Sequence, residues 1–223
     1  MSRYSHLDGV RAPRGSVWGK IGMVFLGLLA VVFMSGCYCI TSYIGAKNGI
    51  VARDEDRKAA WSEVQNQYKR RADLVPGLVE IVKGSAAHES DVLKAVTEAR
   101  AKATATNIDV SKLANDPEAQ KKFLEAQAQL GAAMSRMFTV VKEAYPDLKA
   151  NSQFSMLQKQ FEGTENRIAV ARGDFGPKVR EYNRFIKSGI WAPMVASHNG
   201  FTEKPYFEAT EAEQAVPKIN FGK

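Results

Sequence analysis

Ala60–Val82, AWSEVQNQYKRRADLVPGLVEIV, decides how the chain folds. Trp61, Val64, Tyr68, Ala72, Val75, Val79 and Val82 recur at spacings of three and four. That period places them on one face of an α-helix and leaves most of the intervening charges on the other. Pro76 stands inside the stripe, with Gly77 after it. A proline in a helix interior removes a backbone donor and clashes with the preceding turn. The segment is therefore either one long kinked helix or two helices meeting across Asp73–Gly77. The unbroken stripe favours the kink, and the total length favours a break.

The helical period continues downstream. Val92, Val96 and Ala99 extend a helix to about Thr106, and Asn107–Asn115 reads as a loop. Asp116-Pro117 has the form of an N-cap followed by proline at the first helical position. Phe123, Ala126, Leu130, Met134, Met137 and Val141 form the next stripe, which Pro146 ends after Tyr145. A last helix begins near Asn151 or Ser152. It carries Phe154, Leu157, Phe161, Ile168, Ala171, Phe175, Val179, Tyr182 and Ile186 on one face, and Gly176-Pro177 is expected to bend it. Little β-type alternation occurs before residue 190, so residues 47–188 are predicted to form an antiparallel helical bundle in an all-α chain. From Gly189 to Lys223, aromatics interleave with helix breakers, as in Trp191-Ala192-Pro193 and Pro205-Tyr206-Phe207. This stretch reads as an irregular aromatic tail, packed along the bundle or against a neighbouring subunit.

Upstream the chain changes character. No charged residue occurs from Ile21 to Ala46, a run long enough to cross a bilayer with some tilt. Residues 1–20 carry Arg3, Arg11, Arg14 and Lys20 against Asp8 alone. The positive-inside rule keeps this end in the cytoplasm and sends the bundle across a bacterial inner membrane, into the periplasm or outside the cell. Phe33-Met34-Ser35-Gly36-Cys37 also resembles a lipobox, in which Cys37 would be lipidated and become the mature N-terminus. Apolar character continues to Ile44, which favours a retained helix; both routes put the bundle on the same side.

Composition sets the outer limits. A chain of 223 residues holds one well-buried domain with appendages. The net charge of +7 is spread among acids, as in Asp54-Glu55-Asp56-Arg57-Lys58, which reads as mixed-sign helix faces rather than a nucleic-acid patch. Cys37 and Cys39 both lie in the apolar run, so the remainder can build neither a disulfide framework nor a thiolate metal site. His6, His88 and His198 are far apart, and His88-Glu89 lacks the second histidine of a zinc-protease helix because position 92 is Val. No Glu-x-x-His pair, glycine-rich phosphate loop or nucleophile elbow is present. The expectation is no catalytic residue, no metal site and no cofactor.

Two groups of polar residues remain. Arg70, Arg71 and Asp73 precede Pro76, with His88, Glu89 and Arg100 further on; Glu162, Thr164, Glu165, Asn166, Arg167 and Arg172 lie on the last helix. They are solvated faces, an inter-helix polar network fixing register, or an interaction surface.

The same residues carry a resemblance. Ala60-Trp61-Ser62-Glu63-Val64, Arg70 to Pro76, Leu78 to Gly84, His88-Glu89 and Glu98-Ala99-Arg100 resemble the signature of the LemA family. Tyr145 to Asn151, Glu162 to Arg172, Tyr182-Asn183, Gly200-Phe201, Tyr206-Phe207 and Pro217 extend it, so that it covers about Asn48 to Phe221. The resemblance implies an N-terminal membrane anchor and a four-helix bundle, with a break at Pro76. Lys47-Asn48-Gly49-Ile50-Val51 looks like the string that closes the membrane helix in anchored members, which again favours a retained helix over lipidation at Cys37. The chain departs from the pattern at Gly77, at Gly176-Pro177 and at Gly189–Pro193. By analogy the family points to membrane organisation rather than to a reaction. The expected role is a non-enzymatic, homo-oligomeric envelope scaffold, tethered to the membrane and binding no nucleic acid. The alternative is an adaptor or regulator of a membrane enzyme such as an envelope protease, with a second envelope protein as partner.

Overall fold

The computed structural model describes residues 17–85, 90–105 and 115–206. Seven helices account for nearly all of them: α1 (Val17–Asp73), α2 (Val75–Ser85), α3 (Ser90–Ala105), α4 (Pro117–Ala144), α5 (Pro146–Lys149), α6 (Ser152–Ile186) and α7 (Trp191–Asn199). No strand occurs among the described residues. The chain divides into two units, one ending at Gly45 and one starting at Ala46.

The described part of the first unit is α-helix throughout, and its large apolar side chains from Trp18 to Ile44 are exposed, with Tyr43 half-buried. Helix is the conformation an apolar segment needs in hydrocarbon, because every backbone group can then pair within the segment. Thr41 follows the same economy: its Oγ1 lies 3.0 Å from the Cys37 carbonyl and 3.1 Å from that of Tyr38. Cys37 is exposed on this helix.

In the second unit α1 ends at Asp73, and a single turn residue, Leu74, separates it from α2. The helix breaks rather than bends. Pro76 thereby falls in the first turn of α2, where its missing N–H is least costly. It has no N–H to offer the carbonyl of Ala72, four residues earlier. Arg100 on α3 donates to that oxygen instead, Nε to O at 3.1 Å. The Asp116 cap matches the sequence reading, accepting from the N–H groups of Glu118 and Ala119, and the last helix starts at Ser152 with Asn151 as its cap, accepting from those of Gln153 and Phe154.

Apolar burial is divided between two clusters. One gathers Trp61, Val64 and Tyr68 of α1, Phe123 of α4 and Ile168, Ala171, Phe175 and Val179 of α6. Trp61 is fully buried there, with ring centroids 5.9 Å from Phe123 and 5.3 Å from Phe175. Such contacts add about 0.5–1.5 kcal/mol beyond area burial. The other cluster joins Ala72 and α2 to α3, the second half of α4, Leu148 of α5 and Phe154 and Phe161 of α6.

The helix containing Gly176-Pro177 runs unbroken from Ser152 to Ile186. Buried residues on both sides of the proline, Phe175 and Val179, hold the segment in place. One expectation needs correcting: the tail is not irregular at its start, because Trp191–Asn199 is helical. Pro193 sits in the first turn of α7, where it is tolerated, and Ala192, Val195 and Ala196 are buried. Glycines supply the left-handed residues at both ends, Gly189 at φ 66° and Gly200 at φ 71°. Residues 207–223 lie outside the described part.

The Ala72 carbonyl makes a testable link between Pro76 and Arg100. Arg100→Met is expected to cost about 1 kcal/mol of stability, and clearly less in a Pro76→Ala background, where a backbone N–H returns to Ala72. Thermal unfolding of the detergent-solubilised chain measures the cycle. Equal costs in both backgrounds would show that the two residues are unconnected.

Candidate functional site: two arginines on the buried face

Among the described residues, Arg57 and Arg71 are the charged side chains in the buried class, at 0% and 3% exposure. Both belong to the stripe of α1: Arg57 lies four residues before Trp61, and Arg71 three after Tyr68. The helical period points them inward. Removing such a charge from water costs several kcal/mol unless acceptors replace the lost hydration.

Around Arg57 the acceptors come from near and far. Nη2 and Nε donate to Oδ1 of Asp54, at 2.8 and 3.1 Å, and Nη2 also reaches Asn115 Oδ1 at 3.2 Å. The Tyr182 ring centroid lies 5.9 Å from the guanidinium carbon and, likewise, 5.9 Å from Lys204 Nζ. Asn183 clamps the segment that brings Lys204 there: its Nδ2 donates to the Lys204 carbonyl at 2.9 Å, and the Lys204 N–H donates to its Oδ1 at 2.8 Å. Burial pushes the Asp54 carboxyl upward, but hydrogen bonds and charge from Arg57 and Lys58 outweigh it, so its pKa lies below the ordinary value. Burial raises the Tyr182 phenol, helped by the Asp54 charge. Burial and the neighbouring Arg57 lower the Lys204 ammonium.

Arg71 is held by two helices. Its Nη1 donates to Glu165 Oε1 of α6 at 3.0 Å, and its Nη2 donates to both the carbonyl and the Oε1 of Gln127 on α4. The Tyr68 ring centroid lies 4.9 Å from its guanidinium carbon. A Cβ at Gly131 would stand 2.8 Å from Nη1, so glycine leaves the space that the guanidinium fills. Gln127 in turn donates to the Ala103 carbonyl of α3 at 3.3 Å.

The structure thus gathers Arg71, Arg100 and Glu165 at neighbouring levels of α1, α3 and α6. Arg70 and Asp73 are exposed. Glu162 accepts from Gln158 on the surface, Asn166 is exposed, and Arg167 donates to Thr164 Oγ1 one turn away. Arg172 is half-buried. His88 and Glu89 lie outside the described residues. Sequence reasoning missed Asp54, Arg57, Gln127 and Lys204. The stripe held a signal for two of them: Arg57 precedes Trp61 by four residues, and Gln127 falls between Phe123 and Leu130. Lys204 gave none.

No group of three or more His, Cys, Asp or Glu side chains is placed to hold a metal among the described residues. The class these observations define is an all-helical protein whose N-terminal helix is long and apolar enough to cross a membrane. The family model of LemA matches residues 60–221, and the chain belongs to the LemA family. It is 28% identical over 200 residues to the magnetosome protein MamQ of Magnetospirillum gryphiswaldense, covering 83% of this chain and 73% of that one. Over the same shares it is 24% identical to magnetosome protein MamQ 2 of Paramagnetospirillum magneticum. It is 25% identical over 172 residues to protein LemA of Metamycoplasma hominis, covering 77% of this chain and 73% of the relative.

Asp54 gives the unit an acid-sensitive point. A carboxyl whose pKa is depressed on folding stabilises above its ordinary value of 3.8, and the contribution is lost as pH falls through the folded value. Asp54→Asn is expected to cost about 2 kcal/mol at neutral pH and to flatten the loss of stability below pH of about 4. Thermal unfolding across that range checks it, and an unchanged acid limb would contradict the assignment.

Proposed function

We propose that the chain is a non-enzymatic scaffold, anchored by α1 in the bacterial inner membrane and assembled with copies of itself. One observation carries this reading: an exposed apolar helix precedes a unit whose two buried cations are bound by its own side chains and backbone. These cations are committed to holding helices together. The basic residues before the anchor support a cytoplasmic N-terminus with the helical unit on the far side. Relatives that are magnetosome proteins support a part in membrane organisation.

Within the unit we infer an antiparallel four-helix bundle, with α1 and α2 together as one arm and α3, α4 and α6 as the others. Cluster membership supports the directions. α4 begins beside Trp61 with Phe123 and ends in the second cluster with Val141, while α6 begins there with Phe154 and ends beside Trp61 with Val179. Self-assembly has a candidate face on α6. Met156 and Val170 are exposed there, fourteen residues apart and so nearly aligned along the helix, with Gly163 midway. The aromatic tail, with Tyr206 exposed and Phe207 following, is the second element assigned to contacts between copies.

An adaptor role is the competing reading, favoured by the exposure of Arg70, Asp73, Glu162, Asn166 and Arg167. The mass of the full-length, detergent-extracted protein by light scattering separates the two. The scaffold predicts a homo-oligomer that shrinks when Val170→Glu is introduced or the chain is truncated after Tyr206. A monomer, or a complex with a second protein lost on Arg70→Glu, would replace the scaffold with the adaptor.

A further inference from the structure

Beyond Gly189, α7 presents an apolar edge to solvent. Ile190 and Met194 are 78% and 53% exposed. One helical turn apart, they lie on the same side, while Ala192, Val195 and Ala196 face inward. Trp191 between them is half-buried. An edge of this kind is usually covered, and its position indicates by what.

Phe185, at the end of α6, packs directly on Gly49: a Cβ there would stand 2.6 Å from the ring. Arg53 closes the same contact, with its guanidinium carbon 3.8 Å from the Phe185 ring centroid. The chain that leads into α7 therefore starts beside residue 49. Gly49 comes four positions after Gly45, where the apolar unit ends. Covalent reach alone limits that separation to roughly 14 Å in any conformation. One headgroup layer is about 5–8 Å thick, so residue 49 lies within about two such layers of residue 45.

Charge agrees with position. Lys47 and Arg53 on α1 and Arg184 and Lys187 at the end of α6 stand against Glu181, paired with Arg53 at 3.4 Å, and Glu203, paired with Lys187 at 2.6 Å. Cations remain in excess. An apolar edge, a tryptophan at its border and a net positive rim form the set that binds the interface of an anionic bilayer.

We propose that α7 is a second membrane contact, resting Ile190 and Met194 in the interface of the bilayer that α1 spans, with the surrounding cations on anionic headgroups. The contact fixes the helical unit at the surface instead of leaving it on a single tether. It rests on the anchored reading of α1.

The test uses the full chain with Cys37→Ser and Cys39→Ser, carrying a spin label at Met194→Cys or, as a reference, at Ser135→Cys on α4, which is exposed. Each is reconstituted into vesicles of phosphatidylcholine and phosphatidylglycerol. The label at 194 is expected to collide several-fold more with oxygen relative to a water-soluble nickel chelate than the label at 135. Ile190→Asp should reverse this while the protein still floats with the vesicles. Nickel access at 194 equal to that at 135 in floating protein overturns the proposal and leaves the anchor intact. Shielding of 194 from both reagents overturns it in favour of a protein contact. Loss of flotation by the unsubstituted chain would remove the anchor and this proposal together.

Discussion

A guanidinium taken out of water has to recover its hydrogen bonds from groups that are fixed in place, and Arg71 recovers them from helices far away in sequence. Apolar contact is non-directional and tolerates sliding. Hydrogen bonds at about 3 Å do not, because a helix moved by one residue shifts by about 1.5 Å. Arg71 ties α1 to α4 and α6, Gln127 carries the tie to α3, and Arg100 returns from α3 to the broken end of α1. One polar level therefore sets the register of four helices. The apolar clusters supply most of the cohesion, and this level states which cohesive arrangement is the native one. Gly131 belongs to the same device, since any side chain there would compete with the guanidinium for space.

Arg57 applies the same principle at the start of the second unit. Its partners come from its own helix, from Asn115 ahead of α4 and, through Tyr182, from α6. The clamp of Asn183 on Lys204 then fastens the segment after α7 to that site. Two cations near one phenol ring are tolerable because Asp54 balances them: burial and Arg57 lower the Lys204 ammonium, and the Asp54 charge opposes that. The arrangement joins α1, α6 and the segment after α7.

Most of the helices were legible because their stripes are long and their ends are marked. Asp116, Pro117, Asn151 and Pro146 signal boundaries that local backbone chemistry determines, and tertiary contacts had no reason to overrule them. The proline positions were only half legible. Pro76 breaks a helix and Pro177 does not, and the difference lies in partners that the local sequence does not display: Arg100 waits for the carbonyl freed before Pro76. The polar set before Pro76 was visible as residue types, but not as roles. Arg70 and Arg71 are neighbours with opposite fates because a helix turns by about 100° per residue. The Arg57 site was hidden by its setting among charges, where Asp54–Lys58 reads as a solvated face unless its register with Trp61 is followed backwards. Lys204 had no local signal, since its place depends on chain reversals at Gly189 and Gly200.

In this member of the LemA family the two buried arginines are committed to holding helices together. The claim beneath this is that Arg71 holds several helices at once rather than stabilising only its own. Hydrogen exchange of the full-length protein in vesicles, native against Arg71→Ala, tests it most directly. The account predicts faster exchange in α1 after Ala60, in α4 around Gln127 and in α6 around Glu165, with the apolar part of α1 unchanged. Faster exchange confined to the residues next to position 71 would contradict it.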